Sequence, residues 1–181
     1  MADLKITARR QVRMAVLAAL QGARLGCTID SPGNWVTPPE KLPAIQLRAT
    51  TDHKTGTTAG QAEFTTTVGI QLEAKVQAGT AEGAQDALED LSYRVECAVL
   101  TNRGVLGIMQ GIPLIQTEIE VSAEGRQHVG TVTMNFAFEV MEFFDPLEQS
   151  PVQPIALPIA DVRASGFTSD GVVGIDIPLP Q

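Results

Sequence analysis

Apolar positions recur along this chain with two different spacings. Ile6, Val12, Ala15, Val16, Ala19, Leu20 and Ala23 follow a helical period, with Arg9, Arg10 and Arg13 largely off that stripe. Asp3 is positioned to cap this helix, and Gly22 or Gly26 to end it. A second helix is expected from Thr80 to about Thr101, burying Ala84, Ala87, Leu88, Leu91, Val95, Ala98 and Val99. Glu82 and Asp86 favour its N-terminal end, and Asn102, Arg103 and Gly104 stop it.

Between and after the helices the period falls to two. Ile45, Leu47 and Ala49 alternate with Gln46, Arg48 and Thr50 in a half-buried strand over residues 44–50. The clearest alternation is Phe64, Thr66, Val68, Ile70, Leu72, Ala74 and Val76 against Thr65, Thr67, Gln71, Glu73 and Lys75. Such a strand extends ~40 Å, beyond the usual length, and must outrun a small sheet at one end. Its Phe64 end and the Thr- and Gly-rich residues 51–60, read as a mobile loop, are expected to project as a hairpin. Residues 104–113 connect onward to a third strand over residues 114–121, with Ile115, Thr117, Ile119 and Val121 inward. A turn at Glu124, Gly125 and Arg126 leads to a fourth strand, with Val132, Met134, Phe136, Phe138 and Val140 inward. The predicted fold is α+β: a mainly antiparallel sheet with two helices packed on one face, in the order α-β-β-α-β-β.

Past Asp145 neither period continues. Prolines stand at 146, 151, 154, 158, 178 and 180 and exclude a long helix over residues 146–158, yet Ile155, Leu157, Ile159, Phe167, Val173 and Ile175 are too many apolar groups for a solvated linker. An extended Pro-rich segment of this kind needs a surface, either its own domain or a neighbouring subunit. Residues 1–145 therefore read as the folded domain and 146–181 as an apolar C-terminal arm, with those six residues as candidate subunit contacts.

Composition narrows the function. The chain has 181 residues, 44% of them hydrophobic and 4% aromatic, with a net charge of −8. So acidic a surface argues against a general nucleic-acid binder, which needs clustered Lys and Arg; it suits a conduit that DNA slides past. The imbalance is uneven, because residues 1–24 hold five basic groups and one acidic one. Residues 1–13 lack the apolar core of a signal peptide, and no apolar run approaches a membrane span, so the chain is expected to be cytosolic where it is made and to have no membrane partner.

The candidate chemistry is thin. Cys27 and Cys97 are too few and isolated for a disulfide framework or a zinc site. His53 and His128 have no second ligand at metal-binding spacing. The run from Lys54 to Gly60 is like a phosphate-binding loop in composition but has the wrong order and leads into a strand. Glu118 and Glu120 sit side by side on a wet strand face, without the contrast in surroundings that paired catalytic carboxylates need. Trp35, the sole tryptophan, lies in a proline-rich loop over residues 30–43. No catalytic, cofactor-binding or metal site is read from the sequence, and the chain is not expected to be an enzyme.

Taken together, the basic first helix (Arg9, Arg10, Gln11, Val12, Arg13 through Leu20), the loop ending Leu42, Pro43, Ala44, Ile45, and the long strand followed by helix and closing hairpin resemble the tail terminator proteins of long-tailed bacteriophages and phage-like tail particles. The resemblance covers roughly residues 3–144 and leaves the arm outside it. It implies a virion protein, assembled in the host bacterial cytoplasm, that caps the tail tube as a homohexameric ring. Such a ring ends tube polymerisation and forms the surface for a head completion or connector protein. It implies that the loop with His53 and Lys54 contacts the tube protein. Glu73, Glu118, Glu120 and Glu139 would line an acidic channel through which DNA passes without specific binding. The competing readings are another neck or minor tail protein, such as a head completion factor or tail-tube subunit, and a small α+β ligand-binding domain or enzyme.

Overall fold

A computed structural model describes residues 7–32, 38–60, 62–124 and 127–144. Thr7 caps the first helix, α1 (Ala8–Gly22), its hydroxyl accepting a hydrogen bond from the Arg10 N–H. Thr7 thus takes the place given to Asp3, which lies outside the described residues. The helix runs through Gly22, and the chain then reverses through left-handed backbone at Arg24 and Gly26. A short strand, β1 (Thr28–Asp30), and a single 3-10 turn (Pro39–Lys41) follow.

Three long elements come next. Strands β2 (Ala44–Gly56) and β3 (Glu63–Ala78) form the expected hairpin, which does not outrun the sheet because β5 pairs with β3 up to Glu63, and Thr80 caps α2 (Ala81–Leu100) by accepting from the Gly83 N–H at 3.0 Å. Asn102 ends α2 as expected but also begins α3 (Arg103–Leu106), its side chain accepting from the N–H groups of Gly104 and Val105. Strands β4 (Gly111–Glu124) and β5 (Gln127–Phe143) close the domain, Glu124 and Gln127 pairing across a turn whose residues 125 and 126 are not described.

The five strands lie in the order β1-β2-β3-β5-β4, with β1 parallel to β2 and every other pair antiparallel. Alternation sends Val68, Ile70, Leu72 and Ala74 of β3 and Val132, Met134, Phe136 and Phe138 of β5 to one face, where α1 and α2 cover them. Helix α1 contributes Val12, Val16, Ala19 and Leu20, and α2 contributes Ala84, Leu88, Leu91, Val95 and Val99. Leu88 of α2 packs into the space left by the missing side chain of Gly130 on β5. A Cβ on Gly130 would stand 2.6 Å from Leu88 Cδ1.

Four sequence expectations change. Residues 51–56 are not a loop but the outer half of β2, paired with residues 64–69 of β3 after a bulge between Ala49 and Thr51. Polar side chains hid the alternation there, while β-branched threonines on both strands supply the propensity. The connection over residues 104–113 contains α3 and the first residues of β4; Pro113 fits because β4 is an edge strand. Ile115 and Thr117 do share the helical side of the sheet, but both are exposed, because the helical layer does not cover that part of the edge. Ala87 is likewise exposed and lies off the buried stripe of α2.

Candidate functional site

The face of the sheet turned away from the helices is polar along its middle rows. The register sets its side chains in rows across four strands. Arg48, Gln71, Asn135 and Gln116 form one row; Gln46, Glu73, Thr133 and Glu118 the next; Ala44, Lys75, Thr131 and Glu120 the third. Toward the hairpin, His53, Thr67, Glu139 and Gly111 make a further row. The same alternation that buries Val68 through Ala74 therefore gathers Glu73, Glu118, Glu120 and Glu139 on one surface.

These carboxylates are not equivalent. Glu73 pairs with Lys75 at 2.8 Å, two residues along its own strand. Glu118 accepts from the Gln116 amide at 2.8 Å. Glu120 is exposed and has no hydrogen-bonding or ionic partner among the described residues. Glu139 is set apart, near the hairpin end, with Gly111 across from it. Against these four, the rows hold two permanent cations, Lys75 and Arg48, so their formal sum is 2 − 4 = −2. Arg48 is exposed and donates from Nε to Gln71 at 2.7 Å. Three exposed apolar side chains also lie on this side: Leu114 beside Ala137, and Met141 and Phe143 at the hairpin end.

The proposed tube-contact pair divides. His53 and Lys54 are consecutive on a strand, so they point to opposite faces. His53 is exposed on the polar face beside Thr67, whereas Lys54 lies on the helical side beside Thr66. There its ammonium is bound by Glu142, donates to Thr66 at 3.1 Å, and lies 5.6 Å from the Phe144 ring centroid.

Glu142 is the most connected side chain of this region. Besides Lys54, its carboxylate accepts from the Thr66 hydroxyl at 2.5 Å and from the Ala8 N–H at 3.2 Å, at the start of α1. Burial acts to raise its carboxyl pKa. The hydrogen bonds from Lys54, Thr66 and Ala8, with the charge of Lys54, outweigh that and hold it below the ordinary value. The sequence reading passed over Glu142. The signal was present: it falls on the inward parity of β5, two residues beyond Val140, where an apolar residue is expected.

Elsewhere, Cys27 is half-buried and Cys97 exposed, and burial pushes the Cys27 thiol up against the lowering effect of Arg94. Among the described residues, no three His, Cys, Asp or Glu side chains converge as metal ligands, and no helix is long and apolar enough to cross a membrane. A shallow hollow between Leu42, Pro43, Val76 and Ala87 has no titratable side chain in its lining. Trp35 and the candidate subunit contacts Ile155, Leu157, Ile159, Phe167, Val173 and Ile175 lie outside the described residues. Compared with protein-family models and with curated proteins, the chain finds no match.

Proposed function

We propose that this chain is a structural subunit of a bacteriophage tail, one that caps the tail tube as a homohexameric ring, ends tube polymerisation and presents the head-joining surface. The observation that carries the reading is the two-faced sheet. One face is covered over most of its area by α1 and α2; among the described residues the other is uncovered, and its rows carry Glu73, Glu118, Glu120 and Glu139. The polar middle rows of an antiparallel sheet can face water without a covering layer. Turned toward a ring axis, that face gives a wall of hydroxyls, amides and carboxylates past which DNA slides, since like charge repels the phosphates.

In this arrangement the β2–β3 hairpin, with His53 on its polar face, reaches toward the tube protein, and the opposite end meets the head completion or connector protein. The arm, residues 146–181, docks onto the neighbouring subunit or the head-side partner. The ring is not an enzyme, binds no cofactor, and acts in the virion tail after assembly in the host bacterial cytoplasm.

Removing the gene from its particle tests this. Tubes of uncontrolled length without attached heads, restored to normal by supplying the chain, are the expected outcome. Tubes of normal length joined to heads would overturn the reading.

A further inference from the structure

The helical layer carries opposite charge on its two helices. Helix α1 lies over β2 and β3, and α2 over β3, β5 and β4. Helix α1 holds three arginines and no acid, whereas α2 holds five acids against one arginine.

The arginines lie on one flank of α1. At about 3.6 residues per turn, Arg9, Arg10 and Arg13 fall within roughly 100° of arc, to one side of the buried stripe. Arg13 shows which side that is. A terminal nitrogen of its guanidinium donates at 2.9 Å to the Ser31 hydroxyl, and Ser31 directly follows β1, the outermost strand at that end of the sheet. The basic flank therefore faces the β1 side of the domain. Arg9 and Arg10 are exposed, with no ionic partner among the described residues.

In α2, Glu82, Glu89 and Glu96 recur every seven residues and so form one row, with about 10 Å between members. Ala87 and Arg94 share the other flank of the same helix. Ala87 lines the hollow with Leu42 and Pro43, just ahead of β2. Arg94 donates at 3.1 Å to the carbonyl of Leu25, in the link from α1 to β1, and pairs with Asp90 at 3.7 Å. With that flank turned toward α1, the glutamate row faces the β4 side. Tyr93 stands one turn beyond Glu89 and is 67% exposed, more than any other large apolar side chain described. Interfaces favour tyrosine and arginine, and a guanidinium also stacks on an aromatic ring.

A domain that is basic on one side and acidic on the other complements a second copy of itself. Two basic or two acidic flanks would repel, which disfavours a two-fold contact. A copy that sets its α1 flank against the α2 row of the first leaves the same two surfaces open at the ends, and repetition closes a ring. We infer that copies of this chain associate head to tail through their helical layers, the Arg9, Arg10 and Arg13 flank of one meeting the Glu82, Glu89 and Glu96 row of the next, with Tyr93 beside it. The contact adds no strand at either edge of the sheet and leaves β1 in place. It names the junction of the proposed ring and rests on that reading for closed self-association, but not on the ring's belonging to a tail.

Mass photometry of two charge-reversed full-length variants tests the contact. R9E/R10E is acidic on both flanks and E82K/E89K is basic on both; all four positions are exposed, so the fold is retained. Each variant alone should associate about tenfold more weakly than the unchanged chain. Mixed in equal amounts they should recover association, because each supplies the flank that the other lacks. The single chain R9E/R10E/E82K/E89K should recover most of it as well. Variants that assemble like the unchanged chain, or losses that neither the mixture nor the combined variant restores, would overturn the contact.

Salt provides a second readout that needs no substitution. Raising it from about 0.05 M to about 0.5 M should weaken association of the unchanged chain, and indifference to salt would also overturn the contact. Rings seen by electron microscopy without the recovery or the salt dependence would leave the ring reading standing and remove this junction. A chain that stays monomeric both alone and on tail tubes would remove both.

Discussion

The carboxylate of Glu142 binds the Lys54 ammonium while accepting hydrogen bonds from Thr66 and from the first N–H of α1, so one side chain joins β5, β2, β3 and the helix layer. It stands at the far end of the hairpin, in the row of Gly56 and Phe64. Among the described residues the outer half of β2 has only β3 beside it as a strand, and the Lys54–Glu142 contact ties that half to β5 and the start of α1.

The clasp should make the hairpin acid-sensitive. Because the folded-state pKa of Glu142 is depressed, its contribution is present above the ordinary carboxylate value of 4.5 and is lost as pH falls through the lower folded value. Its side chain is only 15% exposed, so E142Q should cost about 1–3 kcal/mol at neutral pH. Thermal unfolding from pH 7 to pH 3 checks this: the acid-induced loss should be smaller in E142Q. Hydrogen exchange should rise together in residues 51–60 and the first turn of α1. Unchanged exchange in both segments would rule out the clasp.

The closeness of α2 to β5 gives a packing prediction. Gly130→Ala sets a methyl against Leu88, which is fully buried and must shift to admit it. Urea denaturation should show a loss of about 1–3 kcal/mol. Relieving the clash with the double variant G130A/L88A should bring a loss smaller than the sum of the two single changes.

Asn102 is the single side chain that starts α3, through its bonds to Gly104 and Val105. Asn102→Ala should destabilise by about 1 kcal/mol, whereas Asn102→Asp or Asn102→Ser should retain most of the stability. Equal losses in all three would show that the cap is not the reason.

How much of this could be read from the chain depended on whether alternation was written in hydrophobicity. From Val68 to Val76 every second residue is apolar, and β3 with its buried face followed directly. The stripes of α1 and α2 were equally plain. Residues 51–56 pair just as regularly, but with Asp, His, Lys and Thr on both faces no period is visible. Strand β1 has three residues, too few for any period to show. The four carboxylates were found because they are outward residues on legible strands. Glu142 was not, because only its partners from β2, β3 and α1 explain an acid at an inward position.

The charge of the polar face can be tested by reversing two of its carboxylates. Glu118→Lys with Glu139→Lys raises the formal charge of the face by 2 × 2 = 4 per subunit. Particles carrying both changes should assemble with normal tail length yet eject DNA slowly, measured as delayed genome release. Unchanged release would remove these residues from the channel wall.

Truncation after Asp145 addresses the arm. If residues 146–181 dock onto a neighbouring subunit, their removal should lower the oligomer's mass or its thermal stability by several degrees, measured by light scattering and calorimetry. An unchanged oligomer with an unchanged transition would exclude that role and leave the head-side partner.

Cryo-electron microscopy of the purified protein, alone and added to tail tubes, is the most direct test of the ring itself. The expected image is a six-membered ring seated on the tube end, with a central channel and the Glu118 and Glu139 face of each sheet lining it. Monomers that leave tube ends bare, or a ring whose helices α1 and α2 face the channel, would contradict it.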